Sequence, residues 1–130
     1  MTPTSRVVLD SWAWLELFSG SEAGRTVDEK LAGSESFTST VTLAEVVSVS
    51  LRRRRSVDDK VAAIRSESKL VPPSLDDAIE AGRIHAETKQ TAPNISLADA
   101  FVLHLARKVG AKVLTADPDF AGMKEADLLR

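Results

Sequence analysis

Apolar residues fall along this chain in two rhythms, short β-branched runs and longer stretches with helical spacing. Val7-Val8-Leu9 is a compact run ending at Asp10, and it reads as a buried first strand. Ser11 to Phe18 follows as a helix in which Trp12, Ala13, Trp14, Leu15, Leu17 and Phe18 leave almost no polar face. Such a helix needs burial on more than one side, so the core is expected on one face and a partner chain on the other. Ser19-Gly20-Ser21 is a loop, and Glu22 to Leu31 is a more polar helix closed by Gly33.

Ser36 to Ser39 is expected as a second strand. Thr42 then opens a helix with Leu43, Val46, Val47 and Leu51 at helical spacing, ended by Arg52 to Arg55. Val57 to Ser66 is a further helix, and Lys69-Leu70-Val71 is a strand stopped by Pro72-Pro73. Leu75 to Lys89 is a helix with Leu75, Ala78, Ile79, Gly82 and Ala86 on one face, and Thr91 to Ile95 is a loop. The clearest helix is Leu97 to Val109, with Ala98, Phe101, Val102, Leu105, Ala106 and Val109 forming a stripe and Gly110 as its end. Val113-Leu114-Thr115 is a strand delivering Asp117, Asp117 to Phe120 is a turn, and Glu125 to Leu129 adds a last strand. Alternating strands and helices predict an α/β fold, a parallel sheet with helices on both faces.

Composition narrows the class. The 130 residues make one domain, with 43% hydrophobic and 28% charged residues, as in an ordinary globular protein. The absence of cysteine excludes disulfides and thiolate metal sites, and two histidines are too few for a histidine-rich zinc site. No apolar stretch approaches a membrane span, and Asp10 interrupts any signal-peptide core, so a cytoplasmic protein without membrane contact is expected. A net charge of −2 means that attraction to nucleic acid must come from a local patch or a bound metal.

The candidate chemistry lies in Asp10, Glu45, Asp99 and Asp117. Each sits where a strand or loop meets a helix start or a strand end. In a parallel sheet all four positions point to one edge, where ligands bind. Gathered carboxylates repel unless a cation sits among them, and hard oxygen ligands suit Mg²⁺ or Mn²⁺. Such a centre hydrolyses phosphodiesters. The simpler reading is helix capping: Asp10 precedes a helix, and Thr42/Glu45 and Ser96/Asp99 both fit the [ST]-x-x-[DE] box. That pattern also occurs at Thr26/Glu29, Ser56/Asp59 and Ser74/Asp77, so by itself it discriminates nothing. Capping and metal binding are compatible, because a helix N-terminus favours an ionised carboxylate.

The order of these contexts is more specific than any one of them. Strand–Asp10, Thr42-Leu43-Ala44-Glu45, Ser96-Leu97-Ala98-Asp99-Ala100 and strand–Thr115-Ala116-Asp117 with Asp119-Phe120 behind resemble the PIN-domain ribonucleases, particularly VapC-type toxins of toxin–antitoxin pairs. The resemblance runs from Val7 to the C-terminus, except that Ser56 to Lys89 matches only in helical character. It implies a single PIN-like domain over residues 1–130, a three-layer α/β/α fold with a mainly parallel sheet of four to five short strands. It implies a metal-dependent endoribonuclease whose catalytic and metal-binding residues are Asp10, Glu45, Asp99 and Asp117. Asp119 would assist, and the Thr115 hydroxyl would orient a neighbouring carboxylate or water. It further implies an RNA substrate, a cognate antitoxin and a homodimer. Asp10, Asp99 and Asp117 are the expected direct ligands of one or two ions, with Glu45 binding directly or through water.

Other features carry less. Arg52 to Arg55 can contact phosphate, but the run reads more simply as a solvated helix end with its charges fanned around the axis. Lys89, Arg107, Lys108, Lys112, His85 and His104 are expected at the surface, and Trp12 and Trp14 in packing rather than base stacking. A Mg²⁺-dependent phosphatase of haloacid-dehalogenase type would want a second Asp where Trp12 stands. A receiver domain would want an adjacent acidic pair near the N-terminus. The remaining alternative is a protein-binding α/β module whose acids are only caps.

Overall fold

The computed structural model describes residues 5–129. Its strands are β1 (Ser5–Leu9), β2 (Ser34–Ser39), β3 (Lys69–Val71), β4 (Lys112–Thr115) and β5 (Ala126–Leu128). They form one sheet in the order β3-β2-β1-β4-β5, and every neighbouring pair is parallel. The helices are α1 (Ser11–Ser19), α2 (Glu22–Ala32), α3 (Thr40–Arg52), α4 (Asp58–Glu67), α5 (Leu75–Thr88) and α6 (Leu97–Val109), and a 3₁₀ turn spans Pro118–Phe120.

Side chains alternate between the two faces of a strand, and here both faces are covered. Val8, Phe37 and Val113 turn to a core shared with α5 and α6. Val7, Leu9 and Leu114 turn to a core built with Ala13 and Trp14 of α1, Val27 and Leu31 of α2, Val46 of α3 and Ile64 of α4. The result is the expected three-layer α/β/α arrangement, with the sheet wholly parallel. No described helix is long and apolar enough to cross a membrane.

The chain itself satisfies the all-apolar α1. Ala13 and Trp14 are buried, and Trp12, Leu15, Leu17 and Phe18 are half-buried against the same core, with α2 and α3 packed alongside. The face expected to need a partner chain is therefore largely covered from within, with edges of Leu15 and Phe18 left at the surface. The Trp14 indole N–H donates to the Thr38 hydroxyl at 3.1 Å, and Ser68 joins Thr38 and Ser36 at 2.7 and 2.8 Å, so these buried polar groups satisfy one another. α2 approaches closely because of Gly24: a Cβ there would lie 2.1 Å from the Glu16 carbonyl oxygen.

Three local expectations change. The stripe Leu75, Ala78, Ile79, Gly82 and Ala86 faces outward, with Leu75 78% and Ile79 46% exposed. The buried residues of α5 are Asp77, Ala81 and Ile84. Asp77 sits at the α5–α6 seam, in contact with His104 Nε2 at 2.7 Å and accepting from Lys108 Nζ at 3.1 Å. His104 is thus not at the open surface; its side chain is only 18% exposed. Ser74, His104 and Lys108 hold the Asp77 carboxyl far below its ordinary value, the Ser74 N–H most of all. On α6 the buried set is Ala100, Val102, Leu103, Leu105 and Ala106, a wider arc than the stripe read from spacing, since this helix meets both the sheet and α5.

Helix caps are the third change. Of the five [ST]-x-x-[DE] matches, Ser74/Asp77 and Ser96/Asp99 form reciprocal capping boxes. Thr42/Glu45 does not, because α3 begins two residues earlier with Ser39 as its cap. Thr26 lies inside α2, and α4 has Val57 at its N-cap position, with no side-chain cap.

Two glycine substitutions separate close approach from helix propensity. Gly24→Ala should force α1 and α2 apart and lower stability by about 1–3 kcal/mol or more. Gly82→Ala, with open space around it, should raise stability by about 0.5–1 kcal/mol. Urea unfolding of both variants checks the pair, and equal effects would contradict the packing described.

Candidate metal centre

The strand order reverses around β1, which has β2 on one side and β4 on the other. In open α/β sheets the crevice at the carboxyl ends beside such a switch point is the usual ligand site. Asp10 directly follows β1, and Thr115 ends β4. The register pairs Leu9 with Leu114, so the next residues, Asp10 and Thr115, come level.

Asp10 is 5% exposed, and both of its oxygens are engaged. Oδ1 accepts from the Ala13 N–H at 2.8 Å, which makes Asp10 the N-cap of α1, and Oδ2 accepts from the Thr115 hydroxyl. The Thr115 oxygen in turn accepts from the Asp117 N–H at 3.0 Å. Asp117 Oδ1 accepts from the Asp119 N–H at 2.9 Å and so caps the 3₁₀ turn. One hydroxyl therefore ties the end of β1 to the loop after β4. From the other side, α6 begins with the Ser96 box, in which Asp99 Oδ2 accepts the Ser96 N–H and Ser96 Oγ accepts the Asp99 N–H, both at 3.1 Å.

Asp99, Asp117 and Asp119 each bring a carboxylate oxygen into one group, all within 4.8 Å of one another. Asp119, expected only as an accessory, belongs to this set; Asp10 and Glu45 do not. Glu45 lies in the second turn of α3, half-buried, rather than in the first turn as the spacing implied. Both still feel the group electrostatically. Burial pushes the Asp10 carboxyl up to about 7, against hydrogen bonds from Thr115 and Ala13, with the Asp99 and Asp117 charges adding to the rise. Burial also raises Glu45, followed by the Asp99 charge, while Ser11 pulls it back. Asp99 is raised first by burial, then by Asp117 and Asp119, against Ser96.

Among the described residues no ion pair reaches any of these five acids. Carboxylate oxygens without a cationic side chain, held by backbone N–H groups and a hydroxyl, are a hard-ligand set, and they fit Mg²⁺ or Mn²⁺. His104, fully used by Asp77, is not a ligand. The seam of Asp77, His104 and Lys108 was missed from the sequence; its one signal was the i, i+4 placement of the two cations on α6.

The acids set a sign for stability without metal. Their folded values lie above the unfolded ones, so the folded protein binds more protons between about pH 4 and 7. Stability is then fully present below pH 4 as far as these groups go, and is lost as pH rises to 7. The melting temperature in a chelator should fall from pH 5 to pH 8. Mn²⁺ should restore it strongly at pH 8 and weakly at pH 5, where protons compete. Asp99→Asn, whose amide oxygen can still accept the Ser96 N–H, should raise the metal-free melting temperature at pH 8. A clear drop would assign Asp99 a purely capping role.

A family model described as the PIN domain matches residues 7–126. Comparison with curated proteins gives no significant match. Among solved structures, a toxin–antitoxin complex from Klebsiella pneumoniae is 21% identical with a TM-score of 0.77, covering 95% of this chain and 98% of that one. VapC20 of Mycobacterium tuberculosis, described as a sarcin–ricin-loop-cleaving toxin, is 20% identical with a TM-score of 0.72, covering 91% and 95%. VapBC-5 of the same organism is 21% identical with a TM-score of 0.64, covering 97% and 98%. The parallel five-stranded sheet, its acidic edge and a family match spanning almost the whole chain agree: this protein belongs to the PIN domain family.

Proposed function

We propose that the chain is a Mg²⁺- or Mn²⁺-dependent endoribonuclease, the toxin of a toxin–antitoxin pair, acting in the cytoplasm. The observation that carries this reading is the set of Asp99, Asp117 and Asp119 within 4.8 Å of one another, with Asp10 and Glu45 electrostatically coupled to it. Asp99, Asp117 and Asp119 would hold the ion, with Asp10 and Glu45 on its flank. Bound there, it would supply an activated water and neutralise charge building on the phosphate oxygens.

The chain's own part is positioning. The Ala13 N–H and the Thr115 hydroxyl fix Asp10, and the same Thr115 oxygen fixes the backbone ahead of Asp117. The box at Ser96 holds one oxygen of Asp99. Capping and metal binding thus coexist, and the reading of these acids as caps alone leaves their shared edge unexplained. The phosphatase alternative fails on family and on Trp12, which is half-buried against the core where a second Asp would be wanted.

Toxin–antitoxin complexes among the similar structures support a cognate antitoxin as partner. For a homodimer, the outward apolar stripe of α5 with Leu75 and Ile79 offers a better surface than α1, which the chain already covers.

With Mn²⁺ and structured RNA, Asp99→Asn should cost about 100-fold or more in cleavage at an unchanged fold. Thr115→Val, which removes the hydroxyl orienting Asp10, should cost about 10–100-fold. Cleavage unaffected by either change would overturn the assignment of the site. Expression of the native chain should arrest growth of its host and Asp10→Asn should relieve it; growth unchanged by the native chain would contradict the toxin role.

A further inference from the structure

The run Arg52 to Arg55 does not fan its charges around a helix, because the helix stops. α3 ends at Arg52, and Arg54 takes the left-handed conformation with φ of 55°. The Arg55 N–H bonds the Ser50 carbonyl at 2.8 Å and the Arg54 N–H the Leu51 carbonyl at 3.1 Å, closing the helix end as a glycine usually would. After this reversal Arg53 and Arg55 line one cleft of about 390 Å³, together with Lys60 from α4 and Leu15, Phe18 and Ser50. None of the three cations is in an ion pair among the described residues.

Three features of the cleft suit a nucleotide. Residues 52–60 carry four Arg and one Lys against two Asp, a local excess of three positive charges on a chain of net −2. Phe18 is half-buried and stacked on Trp14 at 5.8 Å between ring centroids, which makes its ring a braced platform. Leu15, also half-buried, lines the same cleft and extends its apolar floor.

Position links the cleft to the acidic edge. α1 and α3 lie side by side. Phe18 is eight residues beyond Asp10 along α1, and Arg53 is eight beyond Glu45 at the end of α3. At about 1.5 Å per residue both paths span about 12 Å. That is roughly three or four nucleotides at about 3.4 Å per step of a stacked strand.

We infer that this cleft binds a nucleotide of single-stranded RNA a few residues from the scissile bond, its phosphate on Arg53, Arg55 and Lys60 and its base against Phe18 and Leu15. The inference rests on the nuclease reading for its substrate, and it supplies what the acidic edge lacks, a source of attraction for a polyanion. An acidic protein segment is the rival occupant; it would use the cations but leave the apolar floor idle.

The test is fluorescence anisotropy of the full chain with a labelled single-stranded RNA 12-mer, in chelator so that nothing is cut. The Arg53→Gln/Arg55→Gln variant should weaken binding at least tenfold and reduce the slope of log K against log salt by about 1.4. Arg52→Gln/Arg65→Gln, with the same change of net charge but outside the cleft, should weaken binding less than threefold. Phe18→Leu, which keeps an apolar core contact, should weaken RNA binding while leaving the salt slope unchanged. Equal losses for both double variants would reduce the cleft to general charge and overturn the inference. So would polyglutamate binding that matches RNA in strength and is insensitive to Phe18→Leu, in favour of an acidic protein segment. Failure of the wild type to cleave RNA with Mn²⁺ would defeat the nuclease reading, whereas this binding measurement needs no cleavage, so the two ideas fail separately.

Discussion

The Thr115 hydroxyl donates to Asp10 across the junction of two parallel strands and accepts the backbone N–H of Asp117. Nearly everything about the acidic edge depends on this connection. β1 and β4 come from opposite ends of the chain, 105 residues apart at this contact, and sheet register alone would leave their side chains free to rotate. A buried hydroxyl with one donor and an acceptor oxygen can serve both sides at once. It orients the most buried carboxylate and anchors the loop bearing Asp117 and Asp119.

Such an edge is costly. Burial and like charges push Asp10, Glu45 and Asp99 toward the protonated form, and among the described residues no ion pair offsets them. The fold tolerates this because local hydrogen bonds are spent on the acids, from Ala13, Thr115 and Ser96. The contrast with Asp77 is instructive. It is similarly enclosed, but His104 and Lys108 meet it, and it is held ionised as a structural pin between α5 and α6. One acid is met by His104 and Lys108, and the others have no ion pair among the described residues.

Charge is divided in space as well. The positive residues that a polyanion would need stand at the far ends of α1 and α3, away from the acids at their near ends. Both helices run from one pole to the other.

Much of this was legible in the residues themselves. Every strand and helix was expected within a few positions, because β-branched runs and 3.6-residue spacing report burial directly. The acids were legible because each stands at an element boundary, where a parallel sheet gathers its chemistry. What the sequence could not decide was rotation and partnership. Spacing put Leu75, Ala78, Ile79, Gly82 and Ala86 on one face of α5, but only the fold turns that face outward, with Asp77 meeting His104 and Lys108 of α6. Periodicity ran Arg52 to Arg55 around an axis, but the left-handed Arg54 ended the helix and set Arg53 and Arg55 side by side. Asp119 joined Asp99 and Asp117 only through the 3₁₀ turn. The pattern of apolar residues determines which segments are strands and helices, since that depends on neighbours along the chain. Which charges meet depends on residues brought together from far apart, and only the tertiary structure settles that.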